Sequence, residues 1–336
     1  MDPLAALLSW LGLGLGTELR SRNPLLEDAA RACGAELESR TARLDALPEE
    51  IQQIVFGQLC KALDPRSAVA YSSASKGLRE LMQRVGEGAG KSPLQQLKEE
   101  NAAAAALCLK LGVRSCKALR EAKQISCFDK GISATDLATF GKLTPELPAL
   151  ERLSLSEGSA SAGPDGGQLV EGLGVGALPA VTCFELGNVC VGDVGASALG
   201  AALGRGALPR LKRLNLPNTA IGDAGLVALA PALRRRPALE ELGLEGNPFG
   251  DEGLAALVAP PPADAPPPQD EVLAQLKELG LARSQIAAAG CAHLVSRLRS
   301  GALPALEDLY LHGISSSDMV RWRASVHEAR PGLHGW

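Results

Sequence analysis

The sequence predicts an α/β protein in which strand–turn–helix units repeat along most of the chain, preceded by a small all-α module. Three observations predict it. A leucine phrase recurs six times: LPALERLSL (147–155), LPAVTCFEL (178–186), LPRLKRLNL (208–216), RPALEELGL (236–244), LAQLKELGL (273–281) and LPALEDLYL (303–311). A second phrase follows three of them at a fixed offset: VGDVG (191–195), IGDAG (221–225) and FGDEG (249–253). The third is composition: 5 Phe, 3 Trp and 2 Tyr stand against 37 Gly and 22 Pro in 336 residues. A core so poor in rings must be assembled from many similar small pieces, which is how stacked repeats are built.

Each unit reads alike. Its L-x-x-L-x-L run ends in a period-2 apolar pair, such as Leu214 and Leu216, that suits a short strand. The marker residues Leu150, Val181, Leu211, Leu239, Leu276 and Leu306 are spaced by 31, 30, 28, 37 and 30 residues. A weaker unit lies upstream in the same register, with Ala122, Ile125, Cys127 and Ile132. Asp193, Asp223 and Asp251 directly precede helical runs and are read as caps of those helices. Gly195, Gly225 and Gly253 are read as leaving room for close helix–strand approach. Leu226, Leu229 and Leu233 then face inward at helical spacing. Gly204, Gly206 and Pro209 stop the helix before them and release the chain into the next strand.

Two units depart from this pattern. Ala288 stands where Asp223 stands, so its helix start is expected to be weaker by ~1 kcal/mol; Asp318 restores the cap in the last unit. The long spacing holds APPPADAPPPQD (259–270), a PPII-like loop read as a tolerated insertion or as an SH3- or WW-type ligand.

Upstream, residues 1–43 form a hydrophobic or helical segment. Its apolar stretch Leu4–Gly16 is too short to span a bilayer and lacks the basic lead of a secretory signal. Residues 44–84 read as a compact helical module. Pro48 with Glu49 and Glu50 makes a good helix start. Ile51, Ile54, Val55 and Leu59 form an apolar stripe, Asp64-Pro65 starts another helix, and Ala68, Tyr71, Leu78 and Leu81 continue the core. Residues 85–121 read as a helical linker or cap. The stretch GEGAGKS (86–92) lacks the first glycine of a phosphate loop, since Val85 stands there.

Two resemblances follow. Residues 122–336 resemble the leucine-rich repeat family, in its ribonuclease-inhibitor-like subclass. This implies a curved solenoid with a parallel sheet on the concave face and helices on the convex face. The family's ladder Asn or Cys is replaced by Gly158, Val189, Thr219, Ser284 and Ile314, and only Asn247 matches, so the turn backbone needs other partners. The module at 44–84 resembles an F-box: Leu47-Pro48, Glu50-Ile51, the run from Ile54, the Asp-Pro second helix, then Ser72 to Lys76 and Leu78. The usual Trp is missing, with Gly77-Leu78 in its place. The resemblance implies docking on the Skp-type adaptor of a cullin ubiquitin ligase through Leu47, Pro48, Ile51 and Ile54. The rival reading makes these helices an end cap of the solenoid, in a non-catalytic scaffold without a ligase role.

The chemistry of an enzyme finds no foothold. The formal net charge of -4 gives no basic footprint for nucleic acid. There is no C-x-x-C pair among the eight cysteines, no G-x-S-x-G elbow, and no ligand-spaced partner for the four histidines, so no catalytic residue, metal or cofactor is expected. Buried, reduced thiols suit a cytoplasmic or nuclear protein. Arg234-Arg235-Arg236 is read as stabilising its own helix end. Function then rests on the concave face, whose column reads Ser154, Glu185, Asn215, Gly243, Gly280 and Tyr310. Flanking positions are Arg213, Asn218, Glu241, Glu245, Arg283, Asp308 and His312. A target protein is expected there, centred on the C-terminal repeats, where Tyr310, a hot-spot residue type, has Arg283 and His312 as neighbours. The candidate contacts are Glu185, Asn215, Glu245, Arg283, Tyr310 and His312.

Overall fold

The computed structural model describes residues 49, 52–53, 56–57, 60–61, 64–73, 76–84, 90–158, 163–260, 273–314 and 319–335. The chain divides into two compact units, residues 1–102 and 103–336. Leu47, Pro48, Ile51 and Ile54 lie outside the described residues, as do residues 1–43, Asp318 and most of the proline-rich insertion.

In the first unit, α1 (Arg66–Ser73) and α2 (Lys76–Gln83) pack with the start of α3 (Pro93–Lys110). The expected core residues Ala68, Tyr71, Leu78 and Leu81 are buried, joined by Phe56, Met82, Leu94 and Leu97. The Asp64 carboxylate accepts from Arg66 Nε at 2.8 Å beside the start of α1. The Tyr71 hydroxyl donates to the Gln52 carbonyl at 3.4 Å, which gives its polar end a partner. The end of the GEGAGKS stretch is a helix start: Ser92 Oγ accepts from Gln95 N at 3.3 Å, and Lys91 pairs with Glu99.

The second unit holds α4 (Cys116–Arg120) and then seven strands in one parallel sheet whose spatial order is their sequence order. These are β1 (Gln124–Phe128), β2 (Arg152–Ser156), β3 (Cys183–Gly187), β4 (Arg213–Asn215), β5 (Glu241–Gly243), β6 (Glu278–Gly280) and β7 (Asp308–Tyr310). The weak upstream unit supplies β1, with Ile125 and Cys127 buried. Helices α5 (Ala134–Leu143), α6 (Gly167–Glu171), α7 (Gly192–Gly204), α8 (Asp223–Arg234), α9 (Asp251–Leu257), α10 (Ala288–Arg299) and α11 (Met319–Ala329) follow the strands in turn. Each of the first six packs on the next in line.

Register makes the core a stack of equivalent layers, with Phe184 replacing leucine in one of them. Leu153, Phe184, Leu214, Leu242, Leu279 and Leu309 are successive partners across the sheet, and all are fully buried. The inward helix leucines Leu226, Leu229 and Leu233 are equally buried. Each such side chain contributes roughly 1.5–3 kcal/mol, so a layer needs no ring to be stable.

The aspartates of the second phrase do not cap their own helices. Asp193, Asp223 and Asp251 lie inside α7, α8 and α9, none of which has a side-chain cap. Their carboxylates reach one repeat onward. Asp193 Oδ1 accepts from Gly222 N at 2.7 Å and Gly225 N at 3.0 Å. Asp223 Oδ1 accepts from Gly250 N at 2.9 Å and Gly253 N at 2.7 Å. Asp251 Oδ1 accepts from Ala287 N at 2.8 Å. Free N–H groups at the starts of α8, α9 and α10 are thus satisfied by the helix before, whereas α5 is capped by its own Ser133. The glycine two places on is the seat for that carboxylate: a Cβ at Gly225 would stand 2.5 Å from Asp193 Oδ1, and one at Gly290 would overlap Asp251. Ala288 therefore does not weaken α10, which Asp251 serves. The carboxylate missing at 288 is one that would have reached the following unit.

The turns are satisfied in the same inter-repeat manner. Fully buried Asn247 accepts at Oδ1 from Thr219 N and Ile221 N, both at 3.0 Å, and donates from Nδ2 to Leu216 O at 2.7 Å and Leu244 O at 2.9 Å. Where asparagine is missing, Thr219 and Ser284 donate their hydroxyls to Leu216 O at 2.9 Å and Leu281 O at 2.8 Å. Arginines close the other helix ends. Arg236 donates to the carbonyls of Leu203, Ala207 and Leu208, at the end of α7 and in the turn that follows it, rather than to its own helix. Arg234 and Arg297 donate to Ala259 O and Val258 O from either side, where the chain leaves α9 for the insertion. The last strand's edge is covered by the tail: Leu309 N donates to His334 O at 2.9 Å and His334 N to Glu307 O at 2.8 Å, which blocks edge-to-edge pairing.

Asp223→Ala should lower stability by about 1–2 kcal/mol. Native-state hydrogen exchange locates the effect: protection should fall at the Gly250 and Gly253 amides of α9. Loss confined to α8 would contradict the inter-repeat cap.

Candidate functional site

The candidate site is the sheet face opposite the helices. Strand residues alternate across the two faces, and those between the buried leucines line up in columns. The middle column is Ser126, Ser154, Glu185, Asn215, Gly243, Gly280 and Tyr310, each the register partner of the next. Glu185, Asn215 and Tyr310 are half-buried, so their side chains stand on this face. Glu185 accepts from Ser154 Oγ at 2.9 Å.

Gly243 and Gly280 are adjacent in this column, so the sheet backbone is bare there. The Glu245 carboxylate leans across it: a Cβ at Gly243 would stand 3.0 Å from Oε2, and one at Gly280 would overlap Oε1. Tyr310 borders this floor, its ring against Gly335 of the tail. Arg283 and His312 are exposed at the turn end of β6 and β7, with Arg283 N donating to His312 O at 2.8 Å. Asn218 belongs to the turns instead. Its Nδ2 donates to Asn188 Oδ1 at 3.0 Å, and its backbone φ is +53°.

Two charge columns run side by side along the strand starts. The outer one is Lys123, Glu151, Thr182, Lys212, Glu240, Lys277 and Glu307. Its signs largely alternate and it is knit by ion pairs: Lys123–Glu151 at 3.2 Å, Lys212–Glu240 at 2.8 Å and Lys277–Glu240 at 3.2 Å. The inner column is Gln124, Arg152, Cys183, Arg213, Glu241, Glu278 and Asp308. Here three acids stand together. Glu241 pairs with Arg213 at 3.7 Å, while among the described residues Glu278, Asp308 and Glu245 have no ion-pair partner. Burial, then the neighbouring Glu241, Asp308 and Glu245, push the Glu278 carboxyl above the ordinary glutamate value. Glu278 foremost, with burial, Asp308 and Glu245, likewise raises the Tyr310 phenol.

Sequence reading placed Tyr310, Glu245 and the flanking Glu241 and Asp308 in the right neighbourhood but passed over Glu278. The signal was available, since Glu278 holds the same repeat position as Glu241 and Asp308. Among the described residues no three His, Cys, Asp or Glu side chains are disposed to hold a metal ion, and no helix is long and apolar enough to cross a membrane. Of the described cysteines, all free, Cys108, Cys127, Cys183 and Cys291 are buried as expected, whereas Cys190 is exposed.

A family model described as Leucine Rich repeat matches residues 208–230 and 237–258. No curated protein matches the chain. The matched stretches are two successive units, one with β4 and α8 and the other with β5 and α9. The same strand–helix unit stands on either side of them.

An acid whose value is raised by folding opposes folding when ionised. The penalty is absent at acid pH and sets in as pH rises past the unfolded-state value of about 4.3. Glu278→Gln should therefore raise the thermal midpoint at neutral pH, by about 0.5 kcal/mol of stability allowing for partial exposure. The gain should vanish below the glutamate range. A neutral-pH midpoint that stays put or falls would contradict the repulsion.

Proposed function

We propose that this protein is a non-catalytic binding module whose repeats take a target protein on the open sheet face. The module at 44–84, on this reading, couples that target to a cullin ubiquitin ligase through a Skp-type adaptor. The 28–31-residue spacing outside the insertion supports reading the repeats as the ribonuclease-inhibitor-like subclass. The observation that carries the binding reading is the face itself: a register-locked surface whose side chains stand outside the leucine core. Glu185, Asn215, Glu245 and Tyr310 stand on it, and Arg283 and His312 at its rim.

The adaptor reading rests on the F-box resemblance, with Leu47, Pro48, Ile51 and Ile54 as contacts. It draws support from the core of Phe56, Tyr71, Leu78 and Met82, which is completed by Leu94 and Leu97 of the helix that follows. If these helices serve only as an end cap, the protein is a plain scaffold.

A pulldown with a Skp-type adaptor separates the two. The full chain should retain the adaptor, and the double variant Leu47→Ala, Pro48→Ala should lose it. If the unaltered chain fails to retain it, the scaffold reading stands. For the target, Tyr310→Ala should weaken binding at least about tenfold, the loss of a central aromatic anchor. Unchanged affinity would remove the C-terminal repeats from the interface.

A further inference from the structure

We propose that the open face over β5, β6 and β7 docks an extended, basic protein segment, with an arginine or lysine side chain laid over Gly243 and Gly280. This rests on the reading of the sheet face as a protein-binding surface and names the chemistry of the partner.

The first argument is charge complementarity. Glu245, Glu278 and Asp308 surround the glycine floor without an ion-pair partner among the described residues, and Glu241 holds only the 3.7 Å contact to Arg213. Arg283, exposed at the turn end of β6, makes no ion pair with them among the described residues. The lysine and glutamate column beside them shows that this fold readily stacks charges with alternating sign. The inner column does the opposite at Glu241, Glu278 and Asp308, and like charges directly opposite on neighbouring strands oppose folding. An arriving cation removes that repulsion, so binding is favoured by what the unliganded face lacks.

The second argument is shape. Two adjacent glycines leave a strip of backbone overlain by the side-chain ends of Asn215 at Gly243 and of Glu245 at both. A guanidinium or ammonium on its long stem fits such a strip. The ring of Tyr310 borders it and offers a π face to the cation. Arginine suits the site better than lysine, because a planar fork can bond two carboxylates and stack at once. Nucleic acid and anionic membranes are repelled by the same charges. A divalent ion finds no converging set of three ligands among the described residues.

The test titrates the full chain against three fluorescent Gly-Ser peptides of equal length, carrying arginines, glutamates or no charge. The arginine peptide should bind tightest and weaken as salt rises. Glu278→Gln with Asp308→Asn should weaken it about tenfold or more while preserving side-chain shape. Gly280→Ala should weaken it as well, since the added methyl displaces only the end of Glu245. Glu252→Gln, on the exposed side of α9, should change nothing. Equal or tighter binding of the glutamate or uncharged peptide, still sensitive to Tyr310→Ala, would overturn the basic partner and leave the face as a binding surface. Peptide binding indifferent to every face substitution, or none at all, would overturn both.

Discussion

The Asp223 carboxylate bonds two backbone N–H groups of the next repeat and none at the start of its own helix. That direction is the constraint on which the repeat unit depends. A short helix stacked beside its copies has four free N–H groups at its start and free carbonyls at its end. Self-capping would satisfy them but leave neighbours free to slide. Capping by the neighbour couples satisfaction to register, so a slipped repeat loses its hydrogen bonds and its leucine layer together. Asn247, which ties the turn after β4 to the turn after β5, and Arg236, which reaches back to the end of α7, follow the same rule.

Such coupling explains the composition. A glycine at each carboxylate seat is needed because the space belongs to the preceding aspartate, as at Gly225 and Gly290. Leucine suffices for the core because every layer meets only copies of itself. Where the pattern breaks, the neighbours adjust. Arg234 and Arg297 hold the carbonyls at Ala259 and Val258 from both sides, and the 37-residue spacing is absorbed without disturbing the register of β5 with β6.

Locked register also turns the sheet face into an ordered surface. Each strand position becomes a column, and a column of identical charges is a cost to folding that a single repeat does not feel. Alternation removes it along Lys212, Glu240 and Lys277. Along Glu241, Glu278 and Asp308 it persists, beside two glycines and a tyrosine. A fold that can neutralise a column, and does so one residue away, places its uncompensated charge where a partner can use it.

The sequence by itself determined the repeat, its strand leucines and helix faces, and even the columns of the open face, because all of these follow from spacing along the chain. Leu214, Leu226 and Tyr310 fall where periodicity puts them. It also supplied Ala68, Tyr71, Leu78 and Leu81 as a helical core. Only the tertiary structure decided which way Asp193, Asp223 and Asp251 point, that Asn218 serves a turn rather than a partner, and that Glu278 stands among acids with no cation. The reason is distance. These groups lie about 30 residues apart in sequence, yet neighbouring strands are about 4.8 Å apart in space. A local reading therefore sees a cap beside its own helix, and only the stacked repeats bring the nearer N–H groups of the next helix within reach.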